Sequence, residues 1–521
     1  MCEGFRAIVW CHMVVELGVI LAAGIGSRLR PYTDIRPKCM MRVAGKAIIA
    51  WQLEAFRKAG VVNVIIVAGY LHELVEKLVE EITDMNITVL INHDFNTTNN
   101  MYSLYMTKDY ARGKDFVLLN GDVVLHANIM ENLVNQKESD FICVDVGKYV
   151  EESMKVVLDE SAGILVDISK KISPEDSYGN SIDLYRFSHS SSNLLFEECH
   201  RVIVVNKNLK DWSEVALQTL LQTRAMRMRP LGIDGLPWVE IDNTDDLLDA
   251  ELRFGGLSLK QFREKQLYLI DMDGTLFLGD EPIEGASSFV KRLRTYGGKF
   301  RLITNNSSSS KKKYAARLCE MQIDVSDKDI TVSTDGLIAF LKDRNIKNIY
   351  VVGTESMKES LYQAGIHCIR DTELEEGLAK PSYVVVGNDT ELTFKKLCAA
   401  SKFINSGIPY ICTHCDVTCP TRDGPVPDVG SITKMLSMTT GVEPLVVFGK
   451  PKSEFVEHMM QEWNLSPEEV VVVGDRLYTD QTLARNLGCA FVLVLSGETD
   501  IAMLQQAKNI PDLVVPSVGS L

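Results

Sequence analysis

Several things are missing from this 521-residue chain, and each absence removes a class of protein. It has no basic excess: 55 Lys and Arg stand against 70 Asp and Glu, a net charge of −15, which argues against a nucleic-acid partner. No block of like charge is long enough to make a tail, and the basic run 311–313 reads as a solvated helix face. There is no disulfide framework either. The 12 cysteines follow no repeated spacing, in a chain too large to need staples, so a reducing, cytoplasmic compartment is expected. The one local cluster, Cys412, His414, Cys415 and Cys419, lacks a second pair at finger spacing, so zinc is the disfavoured reading there. Finally, the apolar stretch 8–23 is broken by His12, Glu16 and Gly18. It falls short of the roughly 18–20 residues that a membrane span needs, and it carries no cleavage site behind a basic segment. Residues 1–15 read as an extension, with Met1 or Met13 as the start, and no membrane partner is expected.

What is present is soluble in character: 46% hydrophobic and 24% charged residues, with enough length for two to four domains. From Leu17 a buried strand, LGVILAAG, runs into GIGSRLRPYTDIRPK. Small residues at Ala22, Ala23, Gly24 and Gly26 let backbone N–H groups approach a phosphate, and Arg28 and Lys38 add positive charge. No Gly-Lys-Ser/Thr closes the loop, so it is not a Walker loop. Helices and strands then alternate through residue 92, the pattern of a parallel α/β sheet. The apolar run 115–125 places Asp122 at a strand's carboxyl end, where open α/β sheets bind ligands. Later, Glu240 and Asp242 precede a helix that Asp245 and Asp246 start.

Together, VILAAGIGSRLRPYTDIRPK, the NGD ending at Asp122 and the EID ending at Asp242 resemble the nucleotidyltransferases that join an NTP to a phosphorylated sugar or alcohol. Within them, NNMYSLYM (99–106) is similar to the bacterial phosphocholine cytidylyltransferases. The resemblance implies that Gly24, Gly26, Ser27 and Arg28 hold CTP, that Lys38 meets the transferring phosphate, and that Asp122 and Asp242 bind Mg2+. The implied reaction is attack by the phosphate of a phosphocholine-like alcohol ester on the α-phosphorus of CTP, releasing pyrophosphate. Ala47 and the segment 39–41 depart from the family pattern. Tyr102, Tyr105, Tyr178 and Tyr185 form either an aromatic cage for a quaternary ammonium or part of the core and rim, the commoner fate.

A second set of signals starts at LYLIDMDGTL (267–276), a buried strand that ends in Asp271 and Asp273. Two carboxylates that close repel unless a cation or proton is shared, and Mg2+ is the natural cation. Thr304 and Asn305 then follow a strand, Lys450 sits in VVFGKP, and Asp475 and Asp480 sit in GDRLYTD. This order resembles the haloacid dehalogenase-like hydrolases, in their p-nitrophenyl phosphatase and phosphoglycolate phosphatase branch. The resemblance implies Asp271 as nucleophile, Asp273 as acid and base, Thr304, Asn305 and Lys450 around the phosphoryl group, and Asp271, Asp273 and Asp475 at Mg2+. It also implies the Met272 carbonyl as a further ligand and Asp480 as support. CTHCD (412–416) replaces the branch's threonine-asparagine-proline turn.

The fold expected is α/β throughout: a Rossmann-like nucleotidyltransferase with a mixed, mostly parallel sheet over 1–255, then a linker over 256–264. A haloacid dehalogenase-like Rossmannoid core follows over 265–337 and 445–521, with an α/β cap inserted over 338–444. The function expected is bifunctional, Mg2+-dependent transfer of CMP to a phosphorylated alcohol and hydrolysis of a small phosphomonoester. The alternatives are a sugar-1-phosphate acceptor with another NTP, or one half serving as a non-catalytic regulatory module. Homo-oligomerisation is left open.

Overall fold

The computed structural model describes residues 15–138, 140–370, 373, 380–419 and 424–521. The extension expected over 1–15 lies, but for Val15, outside them. The chain divides into two compact units, Met1–Phe254 and Gly255–Leu521.

The first unit is built on a nine-stranded mixed sheet. Its parallel part places Leu17–Ala22 between Phe116–Asn120 and Asn63–Ala68, with Asn86–Ile91 beyond. Every residue of Leu17–Ala22 is buried, which is why that strand reads as an unbroken apolar run and not as an alternation. Gly179–Phe187 joins Phe116–Asn120 antiparallel and leads to the strands that make the sheet mixed. A small ribbon pairs Trp238–Glu240 with Val123–Leu125, so two segments more than a hundred residues apart meet beside the carboxyl end of the sheet. The loop after Leu17–Ala22 opens at the same end. There Gly26 takes φ 68, and a Cβ on it would lie 2.9 Å from Cβ of Lys38, so the turn needs glycine on both counts.

The second unit has two parallel sheets. The larger runs Ile330–Val332, Lys299–Thr304, Leu267–Asp271, Val470–Gly474, Ala490–Val494 and Leu513–Val515 in spatial order. Leu267–Asp271 is thus interior, and Thr304 and Asp475 arrive at its carboxyl end from its two neighbours. The smaller sheet, the inserted layer, runs His367–Cys368, Asn348–Val352, Tyr383–Val386, Tyr410–Cys412 and Val446–Val447.

Two expected boundaries move. Val446–Val447 pairs with Ile411–Cys412, so the insert runs past 444, and Lys450 follows a half-buried strand of the cap. Residue 338 falls inside the helix Ser333–Asp343, whose Leu337 and Leu341 pack with Ile349 and Val351 of the cap sheet. The stretch 256–264 is also no loose linker. Ser258 caps the short helix Leu259–Arg263, and Phe262, fully buried, packs against Tyr268 and Phe289. Burial of such a ring is worth about 2–3 kcal/mol, enough to hold the segment against the second core.

No helix among the described residues is long and apolar enough to cross a membrane.

Candidate functional site

In the first unit a cavity of about 250 Å3 opens at the carboxyl end of the sheet. Gly24, Arg28, Lys38, Asp122 and Asp242 all line it, whereas Gly26 and Ser27 do not: Gly26 shapes the turn, and Ser27 is the exposed first residue of the short turn Ser27–Leu29. Lys38 Nζ is the centre, donating to Asp122 Oδ2 and to Asp242 Oδ1, both at 2.8 Å. Burial alone would lower the lysine's pKa, but the charges of Asp122 and Asp242 outweigh it and raise it, so the ammonium stays charged. Arg28 Nη1 reaches Asp242 Oδ2 at 3.4 Å from the glycine loop. Asp246 accepts from the backbone N–H groups of Asp242 and Asn243, which fixes the entry to the helix Thr244–Phe254 and with it Asp242.

Glu240, given no role from sequence, completes a trio with Asp122 and Asp242. Burial, then the charges of Asp183, Asp122 and Asp242, push its pKa strongly up. Asp122 Oδ1 is buried with no hydrogen-bond partner among the described residues. An orphaned carboxylate oxygen among three clustered carboxylates fits a hard divalent cation such as Mg2+.

The four tyrosines do not form a cage here. Tyr185 is buried in the core with its hydroxyl donating to Asp183 and Glu214, and Tyr102, Tyr105 and Tyr178 pack against the same core; none lines the cavity. The cavity instead presents Asp183, Glu214, Trp212 and Lys170, which no sequence motif marks. Asp183 has φ 56 in the middle of the strand Gly179–Phe187, where the register with Phe141–Val146 shifts between Ser181 and Tyr185. A bulge of this kind re-aims a side chain, and here a strained non-glycine residue turns an aspartate into the cavity. Burial, the Glu214 charge and the Asp122 charge raise its pKa. Lys170 Nζ lies 5.1 Å from the centre of the Trp212 ring, so that ring's face already meets a cation. The one available sequence signal is an acidic residue set between Ile182 and Leu184.

In the second unit Lys450 plays the part that Lys38 plays in the first. Its Nζ donates to Asp271 Oδ1 and, at 2.6 Å, to Asp480 Oδ1, all three side chains being buried. Asp271, Asp475 and Asp480 form one cluster, and Asp475 Oδ1 is buried without a partner among the described residues. Burial and the charges of Asp271 and Asp480 raise Asp475 well above the carboxylate range. These oxygens too suit a hard cation. Asp480, expected to support the site, lies in that cluster with its two oxygens accepting from Lys450 Nζ and Arg476 N–H, and Asp273, expected as a ligand, lies outside the trio. Burial, then the charge of Asp271, push Asp273 up to about 6. The Met272 carbonyl accepts from the N–H groups of Thr275, Leu276 and Phe277 and closes the turn, so it is spent as a ligand. Thr304 is buried at its strand end with its hydroxyl oxygen accepting from Asn306 N–H at 3.0 Å. The Asn305 side chain does not face a phosphate position: it is fully engaged with Lys450 and Asp416.

The cysteine cluster does not converge on a zinc site. Cys412 Sγ meets Thr433 Oγ1, and His414, Asp416 and Asp428 are the side chains that draw together. His414 Nε2 lies 3.0 Å from Asp428 Oδ1, and Asp416 is taken by Asn305 and Arg476.

Three family models match: Nucleotidyl transferase over residues 17–155, Haloacid dehalogenase-like hydrolase over 268–367, and a HAD-hydrolase-like model over 447–521. Among curated proteins, an acid sugar phosphatase of Staphylococcus aureus (strain USA300) is 30% identical over 254 residues, which is 49% of this chain and 93% of that protein. A solved 4-nitrophenylphosphatase from Thermotoga maritima is 34% identical, over 50% of this chain and 97% of that one, with a TM-score of 0.46. A glycerol phosphate phosphatase from Mycobacterium tuberculosis in complex with magnesium is 28% identical, over 50% of this chain and 77% of that one, with a TM-score of 0.45.

Proposed function

The chain belongs to the haloacid dehalogenase-like hydrolases through its C-terminal half, and on that premise we propose that it is a bifunctional enzyme whose N-terminal half is a cytidylyltransferase for a cationic alcohol phosphate. The coarser reading, a nucleotidyl transferase domain joined to a phosphatase domain, rests on the family matches. The observation that carries the catalytic reading is shared by both halves. Each holds a lysine shielded from water between two aspartates at the carboxyl end of parallel strands, Lys38 with Asp122 and Asp242, and Lys450 with Asp271 and Asp480.

In the N-terminal half a phosphate oxygen of the acceptor attacks the α-phosphorus of CTP, the bond to the β-phosphate breaks, and pyrophosphate leaves. Gly24 and Arg28 border the nucleotide phosphates, and Lys38 offsets charge at the transferring group. Asp122, Asp242 and Glu240 would hold Mg2+, which supplies charge neutralisation when bound. For the acceptor, Asp183 and Glu214 offer negative charge, which favours an ammonium such as that of phosphocholine over a neutral polyol or sugar, whereas the Trp212 face is already held by Lys170. In the C-terminal half Asp271 attacks a phosphomonoester, Asp273 gives its proton to the leaving alcohol, and Asp273 then takes a proton from the water that cleaves the aspartyl-phosphate. Thr304 and Lys450 meet the phosphoryl oxygens, and Asp271, Asp475 and Asp480 would hold Mg2+. Burial and the Asp271 charge push Asp273 up to about 6, so more of it carries a proton at neutral pH than of an ordinary aspartate.

A panel of four NTPs against phosphocholine, glycerol phosphate, inositol phosphate and hexose 1-phosphates, read by pyrophosphate release, tests the transferase reading. CTP with phosphocholine is expected to turn over fastest. A hexose 1-phosphate with another NTP as the preferred pair would replace it with the sugar nucleotidyltransferase alternative.

A further inference from the structure

We infer that Asp416, a cap residue, is a positioning residue for phosphoester cleavage: through Asn305 and Arg476 it ties the seating of the cap to the placement of Lys450. The inference rests on the hydrolase reading of the C-terminal half.

The link is built from buried groups. Asn305 Nδ2 donates to Asp416 Oδ1 at 2.9 Å and to the Lys450 carbonyl at 3.0 Å, while the Lys450 N–H donates to Asn305 Oδ1 at 2.7 Å. One carboxamide therefore grips both backbone polar groups of the lysine whose ammonium reaches Asp271. The approach is close enough that residue 449 must be glycine: it has φ 71, and a Cβ there would lie 2.5 Å from Asn305 Oδ1. The other carboxylate oxygen of Asp416 accepts from Arg476 Nη1 at 2.7 Å, and Arg476 is the residue next to Asp475. Asp416 is 3% exposed and Arg476 8%, so this ion pair is shielded from water.

The cap end of the link is rigid as well. The Asp416 carbonyl accepts from Gly430 N–H at 2.7 Å, in the first turn of the cap helix Val429–Thr440, whose cap residue Asp428 receives His414. A shift of the cap would therefore drag the carboxylate, and Asn305 and Arg476 with it. Removing the charge has a second consequence. A buried guanidinium that loses its carboxylate is left short of negative charge, since its other ion-pair partner, Glu498, is the more exposed of the two. Asp475 and Asp271, whose charges already act on Arg476, are then drawn on in its place. Both effects fall on the reacting groups and not on substrate binding.

The test uses the full-length chain with Mg2+ and p-nitrophenyl phosphate. Asp416→Asn keeps the oxygen that Asn305 needs and removes the charge that Arg476 needs. It is expected to lower kcat about tenfold or more while KM stays within about twofold. Asp416→Glu should recover part of the loss, and adding Asn305→Ala to Asp416→Asn should cost less than the two changes taken separately. An unchanged kcat, or a raised KM with kcat preserved, overturns the inference, the second outcome making Asp416 a substrate contact. Should Asp416→Asn not fold, Arg476→Lys carries the same expectation, and wild-type kcat in that variant overturns it. Wild-type protein that does not hydrolyse the ester removes the hydrolase reading itself, and the link falls with it.

Discussion

Lys38 and Lys450 each sit where two aspartates would otherwise repel, and in both places a buried carboxylate oxygen is left over. Positive charge in such a site serves two ends: it offsets the repulsion between the carboxylates before substrate arrives, and it meets phosphate oxygens afterwards. Asp183 differs, because its close side-chain partners among the described residues are neutral donors, Asn120 Nδ2 and Tyr185 Oη, and burial with its carboxylate neighbours raises its pKa to about 7. A cationic acceptor would favour the ionised form. Affinity for phosphocholine is therefore expected to weaken as pH falls below about 7, since the proton and the cation compete for the same carboxylate. Asp183→Asn should raise KM for phosphocholine about tenfold, equivalent to about 1.4 kcal/mol, leave KM for CTP in place and flatten that pH dependence. Steady-state kinetics across pH check this, and an equal rise with glycerol phosphate would contradict it.

At the scale of elements, the helix Thr244–Phe254 shows how a site-bearing element is tied down. Its N-terminus fixes Asp242, and its last turns bury Glu251, 3% exposed, near the backbone of Ala44. Burial raises Glu251 to about 7, above its value in an unfolded chain, so the folded state holds a proton that the unfolded state gives up. The stability from this group is complete below the ordinary glutamate range, about 4.5, and is lost as pH rises through about 7. Glu251→Gln is thus expected to raise the melting temperature of the first unit at about pH 8, by an amount corresponding to roughly 2–3 kcal/mol, and to change little at about pH 5. Thermal denaturation at the two pH values decides it. The same scale explains what is legible in the sequence. Leu17–Ala22, Phe116–Asn120, Leu267–Asp271 and Val470–Gly474 are buried apolar runs, each followed by a glycine-containing or acidic turn, and the order of those turns along the chain marks the residues at their ends. The bulge at Asp183 is not legible, because a positive φ in a strand leaves no periodic signature. Nor is the cap's last strand: Val446–Val447 is two residues long and half-buried, so it reads as part of the run toward Lys450. Asn305 falls in the expected loop, but its side-chain partners come from residues 416 and 450, and such distant contacts are invisible in a local motif.

At the scale of the whole molecule, two sites of like design lie in two separate units, each with its own core and its own sheet. A phosphatase joined to an enzyme that consumes a phosphate ester would destroy that enzyme's substrate if both recognised it. On the proposed reading, Asp183 and Glu214 in the first cavity and the cap of the second unit are the features that would let the two select different esters. Independence of the two chemistries is the central claim. It is tested by measuring pyrophosphate release from CTP with phosphocholine, and nitrophenol release from p-nitrophenyl phosphate, on the same preparations of wild-type, Asp122→Ala and Asp271→Asn protein. Asp122→Ala is expected to lose the first activity by about 100-fold or more and to keep the second within about twofold, and Asp271→Asn to do the reverse. A single substitution that removes both activities would contradict the account.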